Sequence, residues 1–439
     1  MSDPLAPYPP DSSEHAWTRR EATHLLWRVA SGASHDDISR VVDDGLVKTL
    51  DRLLSPQSET EEFLTTERLL HRTAMASGNI DALKHWWLYR MLYSANPLAE
   101  KMTLFWHNHF ATSNAKVRST EKMEVQNALI RKHALGSFQR LLQDMARDVA
   151  MLVWLDGNAN RKRHPNENFA REVMELFSLG VGNYTETDIQ EAARAFTGWH
   201  VREDAFWFNN NQHDPSTKTV LAKSGPFKGD DILKLCLEQP ACARHLAKKL
   251  LRVFVQPNPD SALIDALAAS IRRHDFEMRP VLRELFASRA FFAPAARHAL
   301  IKSPADLIVS AFKAFGGQCH LAHSAQLMSD LGQNLFEPPT VKGWEGDRQW
   351  INSATMLQRA SFAAEFAGGK RYGQPGALSQ KFDSSSDTVA HWVALLLNDH
   401  VSSAATQELV TYTKKAGPSA EARRSLVQLF LTMPEYQLL

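Results

Sequence analysis

The chain runs to 439 residues, with 50 Lys plus Arg against 49 Asp plus Glu and a net charge of +1. That balance leaves no global basic field for nucleic acid, and the apolar share is ordinary for a protein with a substantial core. Cys236, Cys242 and Cys319 are too few for a disulfide framework and form no CxxC pair, and no stretch approaches the ~18 apolar residues that span a bilayer.

In chain order, residues 1–14 are rich in Pro, Ser and Asp and are expected to form a flexible lead-in. The opening MSDPLAPYPPDSSEHAWTRR holds no apolar run, so the chain as given is expected to be cytoplasmic, or exported if the true start has been trimmed. From Trp17, the residues Ala22, Leu25, Leu26, Val29 and Ala30 recur at helical spacing. Ser34 precedes a short helix through Ile38 and Val42, and Leu46 to Leu54 reads as another. Helices are expected over 81–95, 97–110, 119–133 and 136–150, and again over 229–255, 260–271, 279–289, 303–315 and 353–366. The segment 198–228 breaks this rhythm with aromatic alternation, an Asn run and a β-branched run. Residues 332–352 read as a loop rich in Pro, Gly and Trp. Residues 368–386, rich in Gly, Ser and Gln, read as a linker from a main domain of 15–367 to C-terminal helices of 387–439 that pack on it. The expected fold is mostly α, a multi-helix globular array with a small β-hairpin or long ordered loop near 198–225.

Five segments carry residues with chemical potential. In NENFAREVMELFSLG, 166–180, Pro165 and Asn166 are helix-start signals, and Phe169, Val173 and Leu176 form an apolar stripe. Asn168, Glu172 and Glu175 fall within about 60° of each other beside that stripe. Two carboxylates and an amide there can hold a metal or do acid–base work, or can pair with cations across a helix interface. In LFWHNHFATS, 104–113, His107 and His109 have the spacing of a chelate, yet on a helix they point about 200° apart. Each is either a metal ligand or a satisfied core histidine. In YTETDIQEAARAFTGW, 184–199, Thr185 and Asp188 resemble a capping box, and Glu191 and Arg194 read as a surface ion pair.

His213 and Asp214 can ligate a metal or orient a base, or simply stabilise a loop. In GQNLFEPPTVKGWEGDRQWINSATMLQR, 332–359, Trp344 and Trp350 stand off any amphipathic face. With Asn352 and Arg359 nearby they suit a small-molecule or carbohydrate ligand, or act as plugs over the core. The stripe Arg244, His245, Lys248 and Arg252 reads as a solvated basic face. The chain has no GxSxG elbow, GxxxxGK[ST] loop, GxGxxG fingerprint or HExxH pair.

The blocks HLLWRVASGA, 24–33, LFWHNHFATS, 104–113, the long run 166–199, HDPSTKTVL, 213–221, GDDILKLCLEQPACARHLAKKLLRVFV, 229–255, residues 332–359 and the closing LFLTMPEYQ together resemble the domain of unknown function 1800 family. The resemblance implies a bacterial origin and an α-rich fold. It further implies relatives that often carry an export signal, and gene neighbours of the domain of unknown function 1501 family, which resembles exported sulfatases and phosphatases. This chain departs from that pattern in lacking the signal and in carrying Phe177, where many relatives have His. No catalytic residue transfers from the family. Two functions are therefore weighed. One is a metal-assisted hydrolase or oxidoreductase, with one divalent ion held by Glu172, Glu175 and His107 or His109, and with His213 and Asp214 in the chemistry. The other is an accessory protein that binds a carbohydrate, or a partner of the 1501 family, through its Trp loop.

Overall fold

The computed structural model describes residues 3–9, 16–376 and 382–439. Among these, α-helices dominate, and the named strands are confined to three antiparallel pairs. Local signals explain most helix ends. Thr18 and Glu21 form a capping box that opens Arg19–Ala30, and Ser31 closes that helix in the left-handed region with φ 58°. Ser34 caps His35–Leu54, and Gly45, at φ 74°, breaks that span into the two helices its spacing implies. Pro240 divides the expected 229–255 helix into Gly229–Glu238 and Pro240–Phe254, because its ring cannot sit inside a helix. Among the described residues, two helices of ten or more residues escape the periodicity argument, Glu61–Ser77 and Leu321–Asp330. Glu61–Ser77 buries only Phe63 and Ala74, so it carries little apolar stripe to read.

The β-rich segment holds two hairpins. Trp199–Arg202 pairs with Ala205–Phe208, and Lys218–Val220 pairs with Lys223–Gly225. The third pair joins Gly317–Cys319 to Gly373–Pro375, within the expected linker. Residues 377–381 of that linker lie outside the described residues. Of the expected lead-in, residues 3–9 lie against the body of the protein: Pro7 bridges Ser288, and the Tyr8 N–H donates to Ala287 O at 2.8 Å.

Two apolar cores fill the molecule. The first gathers side chains of Pro97–His109, Phe138–Ala146, the 167–178 segment and the helices between 229 and 286. The second gathers Ile80–Tyr93, Pro304–Phe315, Ser353–Ala367 and the helices after 385. Helix Arg19–Ala30 feeds both, sending Leu25 and Val29 into the first and Ala22 and Leu26 into the second. Its Arg28 is completely buried. Arg28 Nη1 donates to Phe254 O at 3.2 Å and Val255 O at 3.0 Å, while Nη2 donates to Ala296 O and to Leu439 O. Lys302 also lies inside, 3.6 Å from the Tyr436 ring centroid, and among the described residues no side-chain carboxylate pairs with it.

Replacing Arg28 by Met should keep much of the packing but strand four buried carbonyls. A buried acceptor left without a donor costs about 1–3 kcal/mol, so urea unfolding should show a loss of about 3 kcal/mol or more. A loss under about 1 kcal/mol would show that these acceptors find other partners.

Candidate functional site

The helix that opens at Asn166 does not end as an ordinary α-helix. Asn166 caps Glu167–Glu172, accepting from the Asn168 N–H, and the chain then widens into a π-helix over Val173–Ser178. Leu179 N–H reaches back five residues to Met174 O at 2.8 Å, and Ser178 Oγ bonds Val173 O at 2.6 Å. Such wide turns gather at functional sites. The terminal carbonyls of this segment take side-chain donors in place of backbone ones. Leu176 O accepts from His245 Nε2 and from Lys249 Nζ, each at 3.0 Å, and Phe177 O accepts from His109 Nε2 at 3.1 Å. The close approach of His245 needs Gly180, where an added Cβ would sit 2.8 Å from His245 Nδ1 at a backbone φ of +79°.

Lys249 is the centre of this arrangement. Its Nζ lies 3.1 Å from His109 Nδ1 as well as against Leu176 O. Because His109 spends its Nε2–H on Phe177 O, its Nδ1 is left as the acceptor for the lysine. Among the described residues no carboxylate pairs with Lys249. Burial, and next the Arg252 guanidinium, pull its ammonium down to about 7. Burial and the same lysine bring His245 to about 4. His109 is held well below the usual range by burial first and by Lys249 second.

Lys249 lines a cavity of about 500 Å³. One wall is a single face of Pro97–His109, where Lys101, Leu104, Phe105 and Asn108 follow at i, i+3, i+4 and i+7. Another is the loop carrying Lys342, Trp344 and Trp350. Asn108 fixes that loop, accepting from the Trp344 N–H at 2.6 Å and donating to Trp344 O at 3.1 Å. Gly343, at φ +78°, is required there, since a Cβ would come within 2.1 Å of Asn108 Oδ1. Lys101 is neutralised by buried Asp306 at 2.5 Å. Burial pushes the Asp306 carboxyl up, but Lys101 and hydrogen bonds outweigh it and hold it low. Arg252, Lys342 and Glu345 stand exposed at the rim.

Of the candidate site residues singled out from sequence, His109, Trp344 and Trp350 come together on the cavity wall, and the others do not line it. Among the described residues, no three His, Cys, Asp or Glu side chains come together as a metal site would need. Glu172 and Glu175 stay half-buried near one another, and burial followed by the Glu175 charge raises the Glu172 carboxyl. Glu175 accepts from the Tyr184 hydroxyl at 2.8 Å, and Asn168 donates to Leu155 O at 3.3 Å. His213 holds Thr197 O through Nδ1 at 2.9 Å. Asp214 pairs with Arg194 and accepts from the Ser216 N–H, bonds that outweigh burial and hold its carboxyl well below the usual range. Arg194 also pairs with Glu191.

His107 and His109 sit on one continuous helix and face apart. His107 packs on Trp87, Phe336 and Trp344, and among the described residues neither of its ring nitrogens has a hydrogen-bond partner. Burial brings it down to about 3. The indoles lie inside, as in the alternative that makes them plugs over the core, Trp344 at 5% and Trp350 at 7% exposure, because the Asn108 clamp presses their loop onto the second core. Both still line the cavity. Asn352 caps Ser353–Ala367, and buried Arg359 donates to Gln437 Oε1 and Lys302 O. Neither lines the cavity. Lys249 escaped the sequence reading. Its signal is a lysine within an otherwise apolar stripe, Cys242, Leu246, Lys249 and Val253, at i, i+4, i+7 and i+11.

In the unfolded chain Lys249 keeps its ordinary pKa of about 10.4. Between about pH 7 and that value the unfolded state binds a proton the folded state does not, so stability rises with pH across the window. Lys302 and Lys313, lowered by burial to about 7 and about 8, act in the same direction. The test is therefore a difference: urea unfolding from pH 7 to 10 should show the wild type gaining stability relative to Lys249→Met. Parallel curves would contradict it.

No curated protein and no solved structure matches this chain. A family model described as protein of unknown function (DUF1800) matches residues 24–438, nearly the whole length. On that match the chain belongs to the DUF1800 family.

Proposed function

We propose that the cavity beside Lys249 binds a small organic anion that carries a flat apolar group. One observation carries this reading: an amine with no carboxylate partner lines a cavity whose other walls include Phe105, Trp344 and Trp350. Cations withdrawn from water are ordinarily paired, and half-buried Lys249 has two neutral acceptors that leave its charge uncompensated. A ligand carboxylate supplies that compensation whenever the amine carries its proton. Arg252 and Lys342 stand at the rim with Glu345 and Asp347, so the rim is of mixed charge and the sign of the ligand is set by Lys249. The aromatic walls suit a planar hydrophobic group.

The metal-assisted reading loses its footing in the scatter of Glu172, Glu175, His213 and Asp214. A carbohydrate would have to enter the cavity to reach Trp344 or Trp350, since both indoles are buried.

The test is a fluorescence titration. Phenyllactate should quench tryptophan emission saturably, bind more weakly as salt rises, and lose at least about tenfold in affinity in Lys249→Met, as expected for one desolvated charge contact. Binding by neutral sugars alone, with no response to phenyllactate, would replace this reading by the carbohydrate one.

A further inference from the structure

We propose that Lys249 is a covalent nucleophile that forms a Schiff base with the carbonyl group of a 2-oxo carboxylate bound in the cavity. This rests on the anion-binding reading and names the reactive group of the ligand. The geometry singles out one nitrogen. Lys249 Nζ has two acceptors in the protein, Leu176 O at 3.0 Å and His109 Nδ1 at 3.1 Å. A neutral amine has two N–H bonds, and these two acceptors take both. The lone pair then occupies the remaining position of the nitrogen, where the described residues place no partner, and the side chain lines the cavity. Lys101 has no such freedom, because Asp306 holds its ammonium, and Lys342 stands exposed at the rim, away from the pair of acceptors that orients Lys249. Lys302 and Lys313 are absent from the cavity lining. The lowered affinity of Lys249 for a proton supports the assignment, since only the free amine attacks a carbonyl.

The step balances within the site. The Nζ lone pair attacks the ketone carbon, a C–N bond forms, and the carbonyl electrons move onto oxygen. The nitrogen passes a proton to His109 Nδ1, whose imidazolium is held through Nε2–H on Phe177 O. His109 returns that proton to the alkoxide, giving the carbinolamine; it then carries the second nitrogen proton to the hydroxyl, which leaves as water as the C–O bond breaks, and a C=N bond replaces C=O. No oxidant or reductant takes part. Arg252 and Lys342 face the carboxylate, and the aromatic walls face the side chain of the acid.

The experiment treats the full chain with phenylpyruvate and sodium borohydride at pH 7.5 and maps the product by peptide mass spectrometry. The expected result is one adduct, on the peptide carrying Lys249, with the ligand's ketone oxygen lost as water and the imine reduced. It should be absent from Lys249→Met. His109→Gln should give the same adduct about 100-fold more slowly, the scale of one proton-transfer group. An unchanged rate in that variant removes the proton relay. Phenyllactate, which keeps the carboxylate and lacks the ketone, separates the two readings. Saturable binding of phenyllactate with no adduct at Lys249 overturns the Schiff base and leaves the anion site standing. Labelling spread over surface lysines overturns it as well. Absence of both binding and adduct ends both readings. Mapping the wild-type protein needs no variant to fold.

Discussion

Everything around the cavity depends on how the molecule buries Arg28. A buried guanidinium is costly unless its donors find acceptors, and those of Arg28 are met at Nη1 and Nη2, while Nε has no partner among the described residues. Here the acceptors are backbone carbonyls, and two of them, Phe254 and Val255, terminate the Pro240–Phe254 helix. That end of a helix carries partial negative charge. Arg28 therefore caps the helix that presents Lys249 and ties it to Arg19–Ala30, the element shared by both cores. Lys249 repeats the solution on a smaller scale, resting on Leu176 O at the end of the π-helical segment. In both places the positive charge is met by the end of a helix. For Arg28 the partners are permanent. For Lys249 they are incomplete, and that difference separates a structural cation from a chemically available one.

The WHNH sequence shows how a helix distributes three adjacent polar residues among three tasks. His107 turns into the aromatic surroundings of Trp87, Phe336 and Trp344, which belong to the second core. His109 turns toward Phe110, Phe138 and Phe177 of the first. Asn108, between them, spends its amide on the Trp344 backbone and so positions the loop across the cavity. The spacing that resembles a chelate serves instead to place one histidine in each core.

Much of the fold was legible because its signals are local. The capping boxes of Ser34 and of Thr185 with Asp188, the break at Gly45 and the helical stripe of Arg19–Ala30 each act within a few residues. The candidate site was not legible for two physical reasons. The wheel that grouped Asn168, Glu172 and Glu175 assumes one angular step throughout, but the winding changes from α to π at Val173, so Glu175 lies beyond the change. Lys249 was hidden beside the charged stripe Arg244, His245, Lys248 and Arg252. Its apolar neighbours Cys242 and Leu246 mark it as inward-facing only when the lysine itself is counted into the stripe.

The Arg28 contacts also impose an order on assembly during synthesis. Its acceptors at Phe254 and Leu439 lie 226 and 411 residues downstream. At a ribosomal rate of about 5–20 residues per second, roughly 20–80 s separate the emergence of the guanidinium from that of its last acceptor. Through that interval the apolar faces of Arg19–Ala30 can already pack on His35–Leu54 and Pro97–His109, while the guanidinium keeps its charge in water. A nascent chain that closes this late is a natural client for a holding chaperone, and slow release would favour the fold over premature collapse around a half-capped arginine.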